Sequence, residues 1–195
     1  YEFRPLERHE IAIGTDSWIS HDDISSPLPG VLDFLPHKRT IYDASIFAQD
    51  KITLVEDKLG LILGTKLLHN SFSGWELQPN ARLAYLLSQK QTLWGAISRA
   101  VHTPTRIEHD IFAPGIVQDR GFDSETVVAY ELGYRAQPSS RTAFELATFV
   151  NNYDDLRTIE PAPGGIVIRN EMEGKTYGAE LTFRVQPADW WNIKA

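Results

Sequence analysis

The sequence has no cysteine among its 195 residues, which removes disulfides, thiolate metal sites and thiol catalysis together. That absence suits the cytoplasm as well as an oxidising compartment. No run of 18 or more apolar residues occurs, so no spanning helix is expected. A spanning strand remains open, because a strand crosses a bilayer in about 9–11 residues with only alternate positions apolar. Basic charge is also short: 19 Lys and Arg stand against 26 Asp and Glu, for a formal net charge of -7, and the footprint that phosphate backbones require is missing. Nucleic acid is not an expected partner. The chain starts at Tyr1 without an initiator methionine or a secretory leader and stops inside WWNIKA, which reads as mid-strand. It is therefore expected to be a piece of a longer protein.

What is present is alternation. An apolar content of 42% is ordinary for a folded chain and argues against disorder. About nine segments read as strands: HEIAIGTDSWIS, TIYDASIFAQDKITL, LGLILGTKLLHN, ARLAYLLS, TLWGAISRAV, VVAYELGYRAQ, TAFELATFVNNY, KTYGAELTFRVQ and WWNIKA. No stretch of comparable length has a helical period, so the chain is expected to be all-β. The connections alternate between two classes. VEDK, SQKQ, QPSSR and QPAD are short and polar; SHDDISSPLPGVLDFLPHK, NSFSGWELQP, HTPTRIEHDIFAPGIVQDRGFDSE and DDLRTIEPAPGGIVIRNEMEG are long and rich in Pro, Gly, Asp and Glu. In an antiparallel meander this sorts the short turns to one rim and the long loops to the other, the pattern of an outer-membrane barrel.

The two faces of each strand differ. Val128, Tyr130, Leu132 and Tyr134 share one side, and Ala129, Glu131, Gly133 and Arg135 the other. Tyr177, Ala179, Leu181, Phe183 and Val185 oppose Gly178, Glu180, Thr182, Arg184 and Gln186. Leu59, Leu61, Leu63 and Leu67 oppose Gly60, Gly64 and Lys66, and Tyr42, Ala44, Ile46 and Ala48 oppose Asp43, Ser45, Phe47 and Gln49. Four or five uncharged alternate positions correspond to about 25–30 Å of strand, enough to fill a tilted crossing of the hydrocarbon. In TLWGAISRAV, Arg99 is expected to face inward, since an outward charge near mid-bilayer costs about 2–4 kcal/mol. Tyr134, Trp94, Trp190 and Trp191 lie next to short turns, where an interfacial girdle belongs; in a soluble sheet they would be core aromatics.

Taken in order, ASIFAQDKITLVEDKLGLILGTKL, LWGAISRAVHTPTR, SETVVAYELGYR, FVNNYDDLRTIEP and EGKTYGAELTFRVQPADWW resemble the barrel of TonB-dependent outer-membrane receptors across residues 44 to 191. The resemblance implies an antiparallel transmembrane β-barrel segment of about nine strands, cut from a barrel of about 22. Residues 1–195 would be a partial barrel domain, with the plug domain and closing strands absent. The implied role is uptake of a scarce small-molecule ligand, such as a ferric siderophore or cobalamin, across the cell outer membrane. The implied partners are outer-membrane lipid, that ligand, and the TonB complex acting through a missing N-terminal region. A passive porin-type barrel and a soluble ligand-binding barrel or sandwich remain alternatives.

No enzyme is expected: no nucleophile, base and orienting group come together in the sequence, and His9, His21, His37, His69, His102 and His109 lack metal-ligand spacing. The run His21, Asp22, Asp23 could be written as a cation site but reads as a solvated loop cluster. Glu131 with Arg135, and Glu180 with Arg184, stand about 13 Å apart along a strand, so their partners are expected on neighbouring strands or on a plug. The long loops are the expected place for ligand capture. HTPTRIEHDIFAPG offers Arg106, His109 and Phe112 within reach of one another, but no catalytic, cofactor-binding, metal or ligand-binding residue is singled out.

Overall fold

The computed structural model describes residues 1–118 and 121–194. In chain order the strands are β1 (Glu2–Leu6), β2 (His9–Asp23), β3 (Asp33–Phe34), β4 (Lys38–Val55), β5 (Leu59–Asn70), β6 (Gly74–Ser88), β7 (Gln91–His102), β8 (Ile111–Phe112), β9 (Glu125–Ser139), β10 (Thr142–Ala162), β11 (Gly165–Ala188) and β12 (Trp191–Lys194), with one short helix, α1 (Arg106–Asp110). Ten strands form one sheet in the order β1-β2-β4-β5-β6-β7-β9-β10-β11-β12, and β3 pairs with β8 separately. Each neighbour in the large sheet is antiparallel and next in the chain, apart from the small β3 and β8. The turns at 7–8, 56–58, 89–90, 140–141 and 189–190 therefore share one rim, and the remaining connections share the other. No described helix is long and apolar enough to cross a membrane, a fact silent about strands.

The strands run longer than alternation suggests. β6 begins at Gly74, so NSFSGWELQP is a tight turn followed by strand, with Gly74 at φ 76°. Of DDLRTIEPAPGGIVIRNEMEG, only Pro163 and Gly164 form the turn; the rest extends β10 and β11 into a tall hairpin, interrupted by a bulge at Asp155 (φ 59°). Two of the four expected long loops are thus mostly strand. Pro and acidic residues disguised them, and only cross-strand pairing at a hairpin edge makes them regular. β1, β3, β8 and α1 were too short to leave a period in the sequence. Ala195, the end of the expected last strand, and residues 119 and 120 of the longest connection lie outside the described residues.

Register defines the faces. Leu83 opposes Gly95, which opposes Leu132, then Thr148, then Ala179. Along this face Ile46, Leu77, Leu83, Ile97, Tyr130, Leu132, Leu146, Tyr177 and Leu181 are all exposed, from 42% for Leu146 to 79% for Tyr177. Towards the short-turn rim the face also holds Asp50, bonded by the His9 ring at 2.7 Å. The only buried apolar residues described are Phe122, Ala136 and Val167. A water-soluble domain of this length would bury a contiguous core; here the sheet carries its apolar surface outward on one face.

The register reverses the expected faces of TLWGAISRAV. Arg99 opposes Val128, so it lies on the apolar face, and Trp94 opposes Gly133 on the mixed face. Arg99 sits near the loop-rim end of β7. The β6–β7 ladder ends at Asn80–Ser98, next to Pro79, which has no N–H to continue it. The guanidinium enters that gap, donating to the Leu77 carbonyl at 2.6 Å and reaching Glu76 at 3.5 Å. Trp94 therefore leaves the expected girdle and lies flat over Gly133, where a Cβ would stand 2.3 Å from the ring. Phe47 over Gly14 and Phe149 over Gly178 repeat this cross-strand arrangement, which accounts for three glycines of the mixed face, Gly14, Gly133 and Gly178. Arg135 finds its partner across the ladder, on Glu145 at 2.7 Å.

Candidate functional site

At the loop rim, residues 103–118 form a strap over the mixed face. Its helix starts where Thr105 caps α1: the Thr105 hydroxyl accepts from the Ile107 N–H (3.2 Å), and the Glu108 carboxylate accepts from the Thr105 N–H (2.9 Å). This reciprocal box stabilises a single turn that five residues could not hold alone. The i,i+4 spacing then sets Arg106 on Asp110 at 2.8 Å.

Arg106, 6% exposed, also donates to Asp22 (3.1 Å) and to the carbonyls of His37 (3.3 Å) and Pro36. Asp110, 1% exposed, is bonded in addition by Arg39. Two cations and two carboxylates thus tie the strap to β2, β4 and the connection between them. Both guanidiniums rest on rings, Arg106 over Phe34 at 5.4 Å and Arg39 over Phe72 at 4.5 Å. The Leu35 N–H donates to the Asp110 carbonyl at 2.7 Å beside the β3–β8 pair.

The other end of the strap reaches the tall hairpin. Ile166 donates to the Gly115 carbonyl and accepts from the Val117 N–H, both at 2.7 Å. Arg157 on β10 bonds Glu108 at 2.9 Å, and Asn170 on β11 bonds the Asp123 main chain at 2.8 and 3.1 Å. Burial alone would raise the Glu108 carboxyl, but hydrogen bonds from Thr105, its own N–H and Arg157 outweigh it and hold the group below the ordinary carboxylate value. Burial lowers His109, whose Nε2 donates to the Phe122 carbonyl at 3.0 Å; neighbouring Arg39 works the same way, opposed by that hydrogen bond and by Asp110 and Glu108.

Beneath the strap lies a cavity of about 590 Å³. Trp18, Asp43 and Asn70 line it from the mixed face, and Phe34, Phe72 and Arg106 line it at the rim, leaving it open to solvent.

Of the sequence candidates, Arg106 and His109 sit together on α1 but point into the fold, while Phe112 pairs with Asp33 in the small sheet. They hold the strap. The strand's alternation sends Asp22 to the face opposite His21 and Asp23, and each has its own partner: His21 bonds Thr40 (3.0 Å), Asp22 bonds Arg106, and Asp23 bonds Lys38 (3.1 Å). Among the described residues no three His, Cys, Asp or Glu gather as a metal site. Trp18, Asp43 and Asn70 were not singled out, although parity already placed Asp43 opposite the apolar face. What was missing was the register that brings β2 and β5 beside it.

A long antiparallel meander, apolar on one face and mixed on the other, with only tight turns at one rim and two long connections, one of them the strap, at the other, is the wall of a transmembrane β-barrel. The family model "TonB dependent receptor-like, beta-barrel" matches residues 7–195. The chain belongs to the TonB-dependent receptor family, as part of its barrel, and the family's members are outer-membrane transporters. A comparison with curated proteins finds no match. Among solved structures, a mutant of the ferric enterobactin receptor of Pseudomonas aeruginosa has a TM-score of 0.81 at 20% identity, over 97% of this chain and 32% of that one. The siderophore receptor PirA of Acinetobacter baumannii gives 0.78 at 18%, over 96% and 33%, and the FrpB iron transporter of Neisseria meningitidis 0.71 at 12%, over 96% and 32%. The chain thus spans about a third of the length of the structures it matches.

Proposed function

We propose that this chain is the strapped wall of an outer-membrane receptor that imports a scarce ligand of the ferric siderophore or cobalamin type. Residues 1–195 are barrel only; the plug, the remaining strands and the contact with the TonB complex belong to other parts of the receptor. The apolar face meets lipid and the mixed face lines the lumen, with the strap at the extracellular mouth. The single observation that carries this is the sidedness of the sheet: nine large apolar side chains lie exposed on one face, while the strap and its cavity sit on the other. Transport, not catalysis, is the role this arrangement serves.

The test is growth under iron or cobalamin limitation. Disrupting the gene is expected to abolish growth on one ferric chelate or on cobalamin, and removing the TonB complex is expected to do the same. Uptake that survives loss of the TonB complex would identify a passive barrel and overturn the reading.

A further inference from the structure

We propose that the cavity beneath the strap holds a protonated amine of its ligand between the Trp18 indole and the Asp43 carboxylate, an inference that rests on the uptake reading above. This chemistry occurs twice nearby, once in the cavity wall at Arg106 and once behind the wall's Phe72 at Arg39. Arg106 lies over the Phe34 ring and is bonded to Asp22 and Asp110; Arg39 lies over the Phe72 ring and is bonded to Asp110. Each cation sits between an aromatic face and a carboxylate, the two groups that best replace its water.

Trp18 and Asp43 form a third such set. They are direct partners in the β2–β4 register, so their Cβ atoms stand about 4.5–5.5 Å apart on one face, and both line the cavity. Trp18 is 51% exposed. Among the described residues no Lys or Arg lies over its ring and none is ion-paired with Asp43.

The carboxylate is also aimed. Asn70, 3% exposed, uses its side-chain oxygen to accept from the N–H groups of Phe72 (2.8 Å) and Ser73 (3.2 Å), which turns its amide nitrogen to donate to Asp43 Oδ1. Oδ2 is left to accept from a ligand. Indole is the strongest cation-binding ring among the side chains, and a primary ammonium can give one N–H to Oδ2 while its charge faces the ring. Asp22 at the same wall is already paired with Arg106, so among the described residues Asp43 is the carboxylate of the lining that has no cation of its own. Phe34 and Phe72 accept an apolar arm attached to the amine.

The experiment uses the full-length receptor in detergent and three matched probes: phenethylammonium, its neutral N-acetyl derivative and phenylacetate. Ligand-observed NMR titration is expected to give about tenfold tighter binding of the ammonium than of either control. Asp43→Asn, which keeps the contact with Asn70, is expected to erase that preference. Trp18→Leu should weaken the ammonium about tenfold, while Trp18→Tyr retains most of the affinity. Equal binding of the three probes to the unaltered receptor, no binding of the ammonium at millimolar concentration, or a preference that survives Asp43→Asn would overturn the proposal. Failure of the uptake reading is separate: it appears as undisturbed growth after gene disruption and leaves the probe preference in place.

Discussion

Replacing Arg106 with Met keeps the length and apolar stem of the side chain and removes its charge and its donors. Four contacts disappear: those to Asp110, Asp22 and the carbonyls of Pro36 and His37. Breaking a buried ion pair from one side costs about 3–5 kcal/mol, because the remaining charge is stranded. Here the figure is smaller, since Asp110 keeps Arg39 and Asp22 is 33% exposed; about 2–3 kcal/mol remains. That loss acts on undocking of the strap and not on the ladder, so it appears as local opening. At about 1.4 kcal/mol per decade it corresponds to a rise of roughly 30- to 150-fold in strap opening. Hydrogen exchange of the full-length receptor in detergent measures it at two amides, Leu35 bonded to Asp110 and Val117 bonded to Ile166. Both are expected to lose protection, whereas Leu132 in the β9 ladder keeps it. Arg106→Lys should recover only part, since an ammonium has no planar fork for Asp110. Unchanged exchange at Leu35 and Val117 would refute the reasoning, as would an equal loss throughout β9.

Strap docking is also expected to weaken in acid. His109 in the docked state lies below its ordinary value, so protonation favours the undocked state, and stability is lost as pH falls through about 6.5 towards the lower docked value. Glu108 is held below its ordinary value, so its contribution is present at neutral pH and disappears only further down. The groups facing His109 are Arg39, Asp110, Glu108 and the Phe122 carbonyl; exchange at Val117, corrected for intrinsic rates, should therefore rise first through the histidine range, and His109→Gln should remove that first step. Gly133→Ala puts a methyl into the Trp94 ring and is expected to cost about 1–3 kcal/mol, read as a lower urea midpoint in lipid and largely relieved by adding Trp94→Ala. Leu132→Arg should impair membrane assembly by about 2–4 kcal/mol near the midplane. Arg135→Leu gives up an exposed pair with Glu145 and should change assembly by less than about 1 kcal/mol.

Alternation exposed the fold because it is local: the sides of Tyr130, Leu132 and Tyr134 against Glu131 and Arg135 follow from spacing alone, and β9 places them so. TLWGAISRAV was ambiguous for a physical reason. Both of its faces are small or apolar, and its single charge argued for the wrong one, because an arginine near a strand end can enter the gap beside Pro79. Tall hairpins hid behind Pro, Gly and acid, since strand pairing itself needs no apolar face. The cavity depends on register between β2, β4 and β5 and on a strap anchored by single residues such as Arg106, Asp110 and Ile166. Each of those anchors is an ordinary loop residue until its distant partner is known.

The most direct test of the central claim asks which face of the sheet meets lipid. The chain has no native cysteine, so Leu132→Cys and Arg135→Cys each introduce a single thiol into it, placed on opposite faces of β9. Both are to be labelled in the full-length receptor in native membranes, with a small water-soluble reagent and, after fluorophore attachment, with a lipid-borne quencher. Position 135 is expected to react with the aqueous reagent and escape the quencher, while position 132 resists the reagent and is quenched from the lipid. Quenching at 135, or a position 132 that the lipid probe leaves untouched, would mean that the apolar face is covered by protein and that this sheet is not a membrane wall.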